Sequence, residues 1–272
     1  MTGQFNLMQT FLFTYPWLIK WGATSVPWHV ILETAAIFIG FRYFLYLRNQ
    51  QGDPIESPHR IWIIIGAIFG AVAGSRIVGG LENPGEMLRA ENIALHFYMN
   101  KTMVGGLLGG LAGVEIIKKF IKERSSSGDL FVFPLLLAII IGRIGCFSMG
   151  VYEETYGIET SLPWGMDLGD GIVRHPVTLY EIVFLLMFWL LEKRIEKRTI
   201  LKRGYRFRFF MISYLLFRFI LDFIKPHYKI VMGLSTIQLA CMGGLIYYII
   251  LFLTRHKLNS VTVTKPADLP AV

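Results

Sequence analysis

The chain has 272 residues, 54% of them hydrophobic, 17% charged and 14% aromatic, and only two cysteines; its mean hydropathy is +0.51. That balance is too apolar for a water-facing surface, and it excludes intrinsic disorder, a basic nucleic-acid-binding arm and a small disulfide scaffold. At roughly 20 residues per membrane span plus connections, the length accommodates about seven transmembrane helices and no separate soluble domain. The formal charge of +8 then bears on topology, and no nucleic-acid partner is expected.

In chain order, an apolar stretch from Phe5 to Ile19 comes first. It is short, interrupted by Pro16 and without a basic leader or small-residue cleavage site, so it reads as an interfacial helix and not a signal peptide. Apolar runs follow at 28–47, 60–81, 104–120, 130–150, 176–191, 206–225 and 235–254. They predict an all-α, polytopic membrane helix bundle forming a single integral domain. Residues 1–27 would be an outward interfacial segment, 28–254 the transmembrane core and 255–272 a cytoplasmic tail. The third run carries Gly105, Gly106, Gly109, Gly110 and Gly113, a small face suited to close backbone approach deep inside the bundle.

Basic residues concentrate in alternate connections: Arg48 and Arg60, then Lys118, Lys119, Lys122 and Arg124, then the run from Lys193 to Arg206, then Arg255, Lys257 and Lys265. The opposite side holds far fewer, among them Lys20, Arg89, Lys101 and Arg174. The positive-inside rule puts the N-terminus outside and the C-terminus in the cytoplasm, in agreement with an odd number of spans.

Charges inside the runs cost about 2.5–3.5 kcal/mol each at the bilayer centre, so each needs a reason. Arg42 and Arg208 lie near cytoplasmic ends and snorkel. Arg143 and Arg218 each stand roughly 18–20 Å above the inner face at 1.5 Å per residue, at one level in the outer half, and Arg76 is also in an outer half. His29, Glu33, His175, Tyr180, Glu181 and Asp222 fall at outer ends. Two readings fit: Arg76, Arg143 and Arg218 fasten the bundle to Glu33, Glu181 and Asp222, the last being i+4 from Arg218, or the guanidinium forks hold the phosphate of an anionic phospholipid in an outward-opening cavity.

Several motifs then stand in order: Gly142-Arg143-Ile144-Gly145-Cys146-Phe147, Pro163-Trp164-Gly165, Arg174-His175-Pro176-Val177-Thr178-Leu179-Tyr180-Glu181, Phe217 to Pro226, and Leu234-Ser235-Thr236-Ile237-Gln238. In this order and on these spans, the set resembles the bacterial prolipoprotein diacylglyceryl transferase family from about residue 28 to 254. The resemblance implies a multi-pass enzyme of the bacterial inner membrane with seven spans. It would take phosphatidylglycerol and transfer the diacylglyceryl group to the lipobox cysteine thiol in the signal peptide of a preprolipoprotein, leaving a thioether and glycerol phosphate. It also implies that Arg143 and Arg218 are essential, and it maps Asp222, Lys225, His175, Tyr180 and Glu181 onto family positions. The chain departs from the pattern where the family reads His-Gly-Gly and here stands Val104-Gly105-Gly106, and where Asn follows Gly-Arg-x-Gly and here stands Cys146.

On these grounds Arg143 and Arg218 are expected to clamp the phosphate, with Gly142, Gly145, Cys146, Arg76, His175 and Tyr180 lining the lipid site and Glu181, Asp222 and Lys225 supporting it. Glycines at 142, 145 and 150 would let backbone amides approach the phosphate. Since position 104 offers no base, His29 with Glu33 at i+4 is the candidate proton acceptor. The bland alternative is an interfacial histidine beside a paired carboxylate. Cys146 reads as a packing residue, with a covalent lipid intermediate as its alternative. No cofactor and no metal are expected, because His and Cys show no ligand spacing in the sequence. The residues from Gly150 to Arg174 are long enough for an outward flap. A phospholipid-binding or lipid-moving protein that has lost the transfer chemistry is the competing class.

Overall fold

A computed structural model describes residues 15–21, 24–198 and 202–261, with Trp21 and the last seven by backbone alone. Every apolar run is a helix: α1 (Trp28–Gln51), α2 (Ser57–Gly80), α5 (Met103–Phe120), α6 (Val132–Met149), α7 (Val177–Arg198), α8 (Tyr205–Leu221) and α9 (Thr236–Val261). Two short helices, α3 (Pro84–Arg89) and α4 (Ile93–Met99), join α2 to α5. The helical stretches Trp28–Gln51, Ser57–Gly80, Asp129–Tyr152 and Thr236–Thr254 are long and apolar enough to cross a membrane.

Helix ends follow local chemistry. The side chains of Asn83, Asn92 and Thr102 accept from the amides of Glu86, Leu95 and Gly105 and so cap α3, α4 and α5. The start of α8 is capped from a distance, Asp129 accepting from the amides of Gly204 and Phe207. Gly52, just past α1, holds φ +73°, a left-handed conformation in which a side chain would be strained.

Helix α2 lies along α5 and α1 along α6, while α6 also meets α7, and α8 meets α9. Leu136, Leu185, Phe210, Met211, Tyr214, Leu215, Ile237 and Cys241 form the buried centre. Ile37, Phe38, Ile68, Phe69, Phe120, Met187 and Leu190 point outward and are exposed, as lipid-facing side chains are.

The bundle is not purely helical. Residues 5–14 of the expected interfacial helix lie outside the described residues, and the end of that stretch is strand instead. Leu18–Trp21 (β1) pairs antiparallel with Thr24–Pro27 (β2). Pro16 removes a helix donor, and the Trp17 amide donates to the Ser148 carbonyl while the Trp28 amide donates to the Trp17 carbonyl, so the backbone is satisfied across segments. A second hairpin, β3 (Met166–Asp167) with β4 (Val173–Arg174), organises the expected flap. Its turn is built on Asp167 Oδ1, which accepts from the amides of Gly169 and Gly171.

Arg60, a topology charge by sequence, is also a buried clasp at 1% exposure. It pairs with Asp53 and donates to the Ser127 carbonyl at 3.0 Å, tying the α1–α2 connection to the α5–α6 connection. Burial raises the Asp53 pKa, but donation from Arg60 and the Ile55 amide and the charge of Arg48 outweigh it and leave the group below its usual value. A depressed carboxylate contributes stability that is complete above its unfolded pKa of about 3.9 and is lost as pH falls through the lower folded value. Asp53→Asn should therefore lower the melting temperature at neutral pH and flatten its decline below about pH 4, as a pH series of thermal unfolding curves would show.

Candidate active site

The Gly-Arg-x-Gly motif lies in the second half of α6, Arg218 one turn before the end of α8, and Glu181 in the second turn of α7. These three helix ends converge on one carboxylate. Arg143 Nε lies 2.9 Å from Glu181 Oε1, Arg218 Nη1 donates to Oε2 at 2.8 Å, and the Tyr214 hydroxyl donates to Oε1 at 2.6 Å. Arg143, Arg218, Glu181 and Tyr214 are all buried. Two guanidinium groups share a single negative charge, so the group carries an excess positive charge in a setting of low dielectric. Arg218 Nε is buried without an acceptor among the described residues, a donor left over for a ligand oxygen.

Lys225 is buried beside this group and among the described residues makes no ion pair. Asp222 does not take the local i+4 pairing with Arg218. Helix α8 stops at Leu221 and Asp222 opens a 3-10 turn, which swings its carboxylate to the Ser235 hydroxyl and to His227 Nδ1 at 2.6 Å. His227 Nε2 continues to Glu82 at 2.9 Å, and Gln238 holds the amide of Ser235. This network fixes the chain after Arg218.

The other expected residues separate into three places. Arg76 donates to the Tyr98 carbonyl and lies over the Tyr98 ring, so its partner is on α4 and not at Glu181. His175 Nδ1 is 3.1 Å from the Tyr180 hydroxyl, which also accepts from Trp164 Nε1 at 2.9 Å. Gly142 and Gly145 lie within α6, where their amides belong to the helix ladder and do not point at a ligand. Gly145 admits α1 instead: a Cβ there would lie 3.4 Å from His29 Nδ1, whereas one at Gly142 would meet open space.

His29 stands in the first turn of α1 with Nε2 3.4 Å from Glu33 and 3.5 Å from Glu153. Glu33 is held in turn by Lys101 at 2.7 Å. Cys146, one helical step from Arg143, has its sulfur 3.7 Å from Arg143 Nη1, and the Cys146, His29 and Glu153 ligand atoms lie within 4.8 Å of one another. Two clusters thus meet at the C-terminal end of α6, a cationic one around Glu181 and a thiol, imidazole and carboxylate one around His29. Sequence reading missed Tyr214, His227 and Glu153. Tyr214 is legible as the i−4 neighbour of Arg218 on one helix face; the other two are set by loops.

A sequence profile of the prolipoprotein diacylglyceryl transferases matches residues 16–254. The chain belongs to that family. Similar proteins, each named phosphatidylglycerol–prolipoprotein diacylglyceryl transferase, include those of Caulobacter sp. strain K31, Idiomarina loihiensis and Wolbachia pipientis wMel. The Caulobacter protein is 28% identical over 77% of this chain and 79% of its own length. The Idiomarina protein is 28% identical over 87% and 91%. The Wolbachia protein is 28% identical over 92% and 98%. The family match runs from before α1 into α9 and includes both site clusters and the departures at Val104 and Cys146.

Proposed function

We propose that this chain transfers the diacylglyceryl group of phosphatidylglycerol to the lipobox cysteine thiol of a preprolipoprotein, giving a thioether and glycerol phosphate. The observation that carries it is the pair of buried arginines sharing Glu181, with excess positive charge and an unspent donor in a chain built for lipid. A phosphate diester is the lipid group that this arrangement fits, because the guanidinium forks match its oxygens and strengthen as the departing phosphate gains charge.

The reaction forms a sulfur–carbon bond and breaks the carbon–oxygen bond to the phosphate. Arg143 and Arg218 bind the phosphate and stabilise the leaving group, while Lys225 adds positive potential behind them. The proton of the acceptor thiol is taken up at the His29–Glu33 pair, since Val104 is apolar and fully buried. His175 and Tyr180, tied to Trp164, line the outward rim where headgroup and signal peptide enter. In this reading the seven long helices are seven spans of one integral unit in the inner membrane of a bacterium, with N-terminus outside and C-terminus in the cytoplasm. The connections rich in Lys and Arg then face inward.

Incubating the purified protein with phosphatidylglycerol micelles and a lipobox peptide tests the reading by mass spectrometry. The diacylglyceryl adduct should form, and Arg143→Ala and Arg218→Ala should each remove it with a loss of at least about 10²-fold, the scale for deleting one oxyanion donor. Arginine-dependent lipid binding without adduct would replace transfer with a lipid-binding role.

A further inference from the structure

The cluster around His29 contains more than a base needs. A half-buried thiol, an imidazole and a carboxylate, drawn from α6, α1 and the loop after the Gly150–Tyr152 turn, converge with their ligand atoms within 4.8 Å of one another. His29 Nε2 and Glu153 Oε2 are already 3.5 Å apart. A tetrahedral zinc ion, with bonds of about 2.0–2.3 Å, sets its ligands about 3.3–3.7 Å from one another. The His29–Glu153 pair meets that spacing, and the Cys146 sulfur, within 4.8 Å of both, needs to come about 1 Å closer. The donor set is one sulfur, one nitrogen and one oxygen, the mixture that favours a thiophilic divalent ion over magnesium or calcium. No spacing in the sequence announces it, because the three residues come from separate elements.

We propose that His29, Cys146 and Glu153 bind a thiophilic divalent cation of the zinc class, and that its open fourth position receives the acceptor thiol. The inference rests on the transferase reading and supplies its thiol-activation step. Three protein ligands and one open position are the pattern of a catalytic site, and a thiol that binds such an ion is deprotonated. The acceptor S–H bond breaks as sulfur binds the cation, and the proton is released to solvent. A sulfur electron pair then forms the bond to the glyceryl carbon, the carbon–oxygen bond breaks, and the phosphate oxygen leaves with its electron pair onto Arg143 and Arg218. The thioether is neutral and a weak ligand, so the product dissociates. His29 is a ligand in this scheme and not the proton acceptor, and Glu33 holds its ring in place.

The Cys146 thiol is thereby a ligand and not a nucleophile. An enzyme thioether would be a poor leaving group for a second displacement, which removes the covalent intermediate. Arg143 Nη1 is 3.7 Å from the sulfur, which places the ion beside the phosphate clamp.

Cobalt(II) is the probe. Full-length protein in phosphatidylglycerol micelles, stripped with chelator and titrated with cobalt, should show one bound ion per chain, a near-ultraviolet sulfur-to-cobalt charge-transfer band and intense four-coordinate visible bands. Cys146→Ser should abolish the charge-transfer band. His29→Ala and Glu153→Gln should weaken binding by more than about tenfold, the lower scale for loss of even an outer-shell partner. Glu153 lies in an outer loop, so its substitution tests the site without disturbing the bundle. Adding the lipobox peptide should strengthen the band as a second thiolate binds. Absence of the band, or a band indifferent to Cys146→Ser, overturns the metal site even where adduct forms. Full adduct formation by stripped protein overturns its role in activation. A cobalt site in protein that makes no adduct keeps the site and overturns the transferase reading.

Discussion

Glu181→Ala is expected to abolish diacylglyceryl transfer and to lower the melting temperature more than any other single substitution in this cluster. Glu181 is the counter-charge for both Arg143 and Arg218 and the acceptor for Tyr214. Removing it leaves two like charges facing each other in a buried site, where loss of one partner of a buried pair costs about 3–5 kcal/mol. The guanidiniums then turn toward whatever acceptors they find, and a misplacement of about 1 Å at a reacting centre is worth about 10²-fold in rate. Tyr214→Phe is the matched control. It removes one hydrogen bond to a charged group, worth about 1.5–3 kcal/mol, and leaves both ion pairs, so it should retain measurable transfer. Unfolding in detergent and the adduct assay, run on both variants, check the expectation. A Glu181→Ala protein with parental turnover would show that the arginines need no shared carboxylate to hold the phosphate.

This arrangement was half legible in the sequence. The depth of Arg143 and Arg218 followed from helical rise, and the structure brings them to one carboxylate. Which carboxylate was not readable: Glu33, Glu181 and Asp222 were all at outer ends, and the i+4 rule favoured Asp222 for Arg218. That rule fails because it presumes a continuous helix, and α8 ends one residue too soon. The seven helices were visible because each is a long apolar run. The hairpins were not, since Leu18–Trp21 is as apolar as a helix and its pairing depends on backbone groups of other segments. The His29 cluster was visible only as its i, i+4 pair with Glu33. Cys146 and Glu153 join it through the approach of α1 to α6 at Gly145 and the path of a loop, and neither leaves a periodic trace.

The glycine face of the third run was legible, and it carries the second large effect. A Cβ at Gly109 would stand 2.2 Å from the Gly70 carbonyl oxygen, one at Gly113 2.1 Å from that of Gly66, and one at Gly105 2.4 Å from that of Gly74. These obstacles are backbone, not flexible side-chain tips, so Gly109→Ala can be accommodated only by parting α2 from α5. Overpacking of this kind costs about 1–3 kcal/mol and occasionally more. Gly243, where a Cβ meets nothing within 4 Å, should tolerate alanine with a gain of up to about 1 kcal/mol from helix propensity. Unfolding of the two variants side by side measures the difference. The displacement should reach the site as well. Helix α5 begins at Met103, Thr102 caps it, and Lys101 just before it holds Glu33 beside His29. Moving α5 away loosens Glu33, so Gly109→Ala should slow transfer while leaving arginine-dependent lipid binding in place. Lys101→Met separates the two effects, because it frees Glu33 with the helix seam intact. It should reproduce the loss of rate at parental stability, and full activity in Lys101→Met would confine the glycine face to packing.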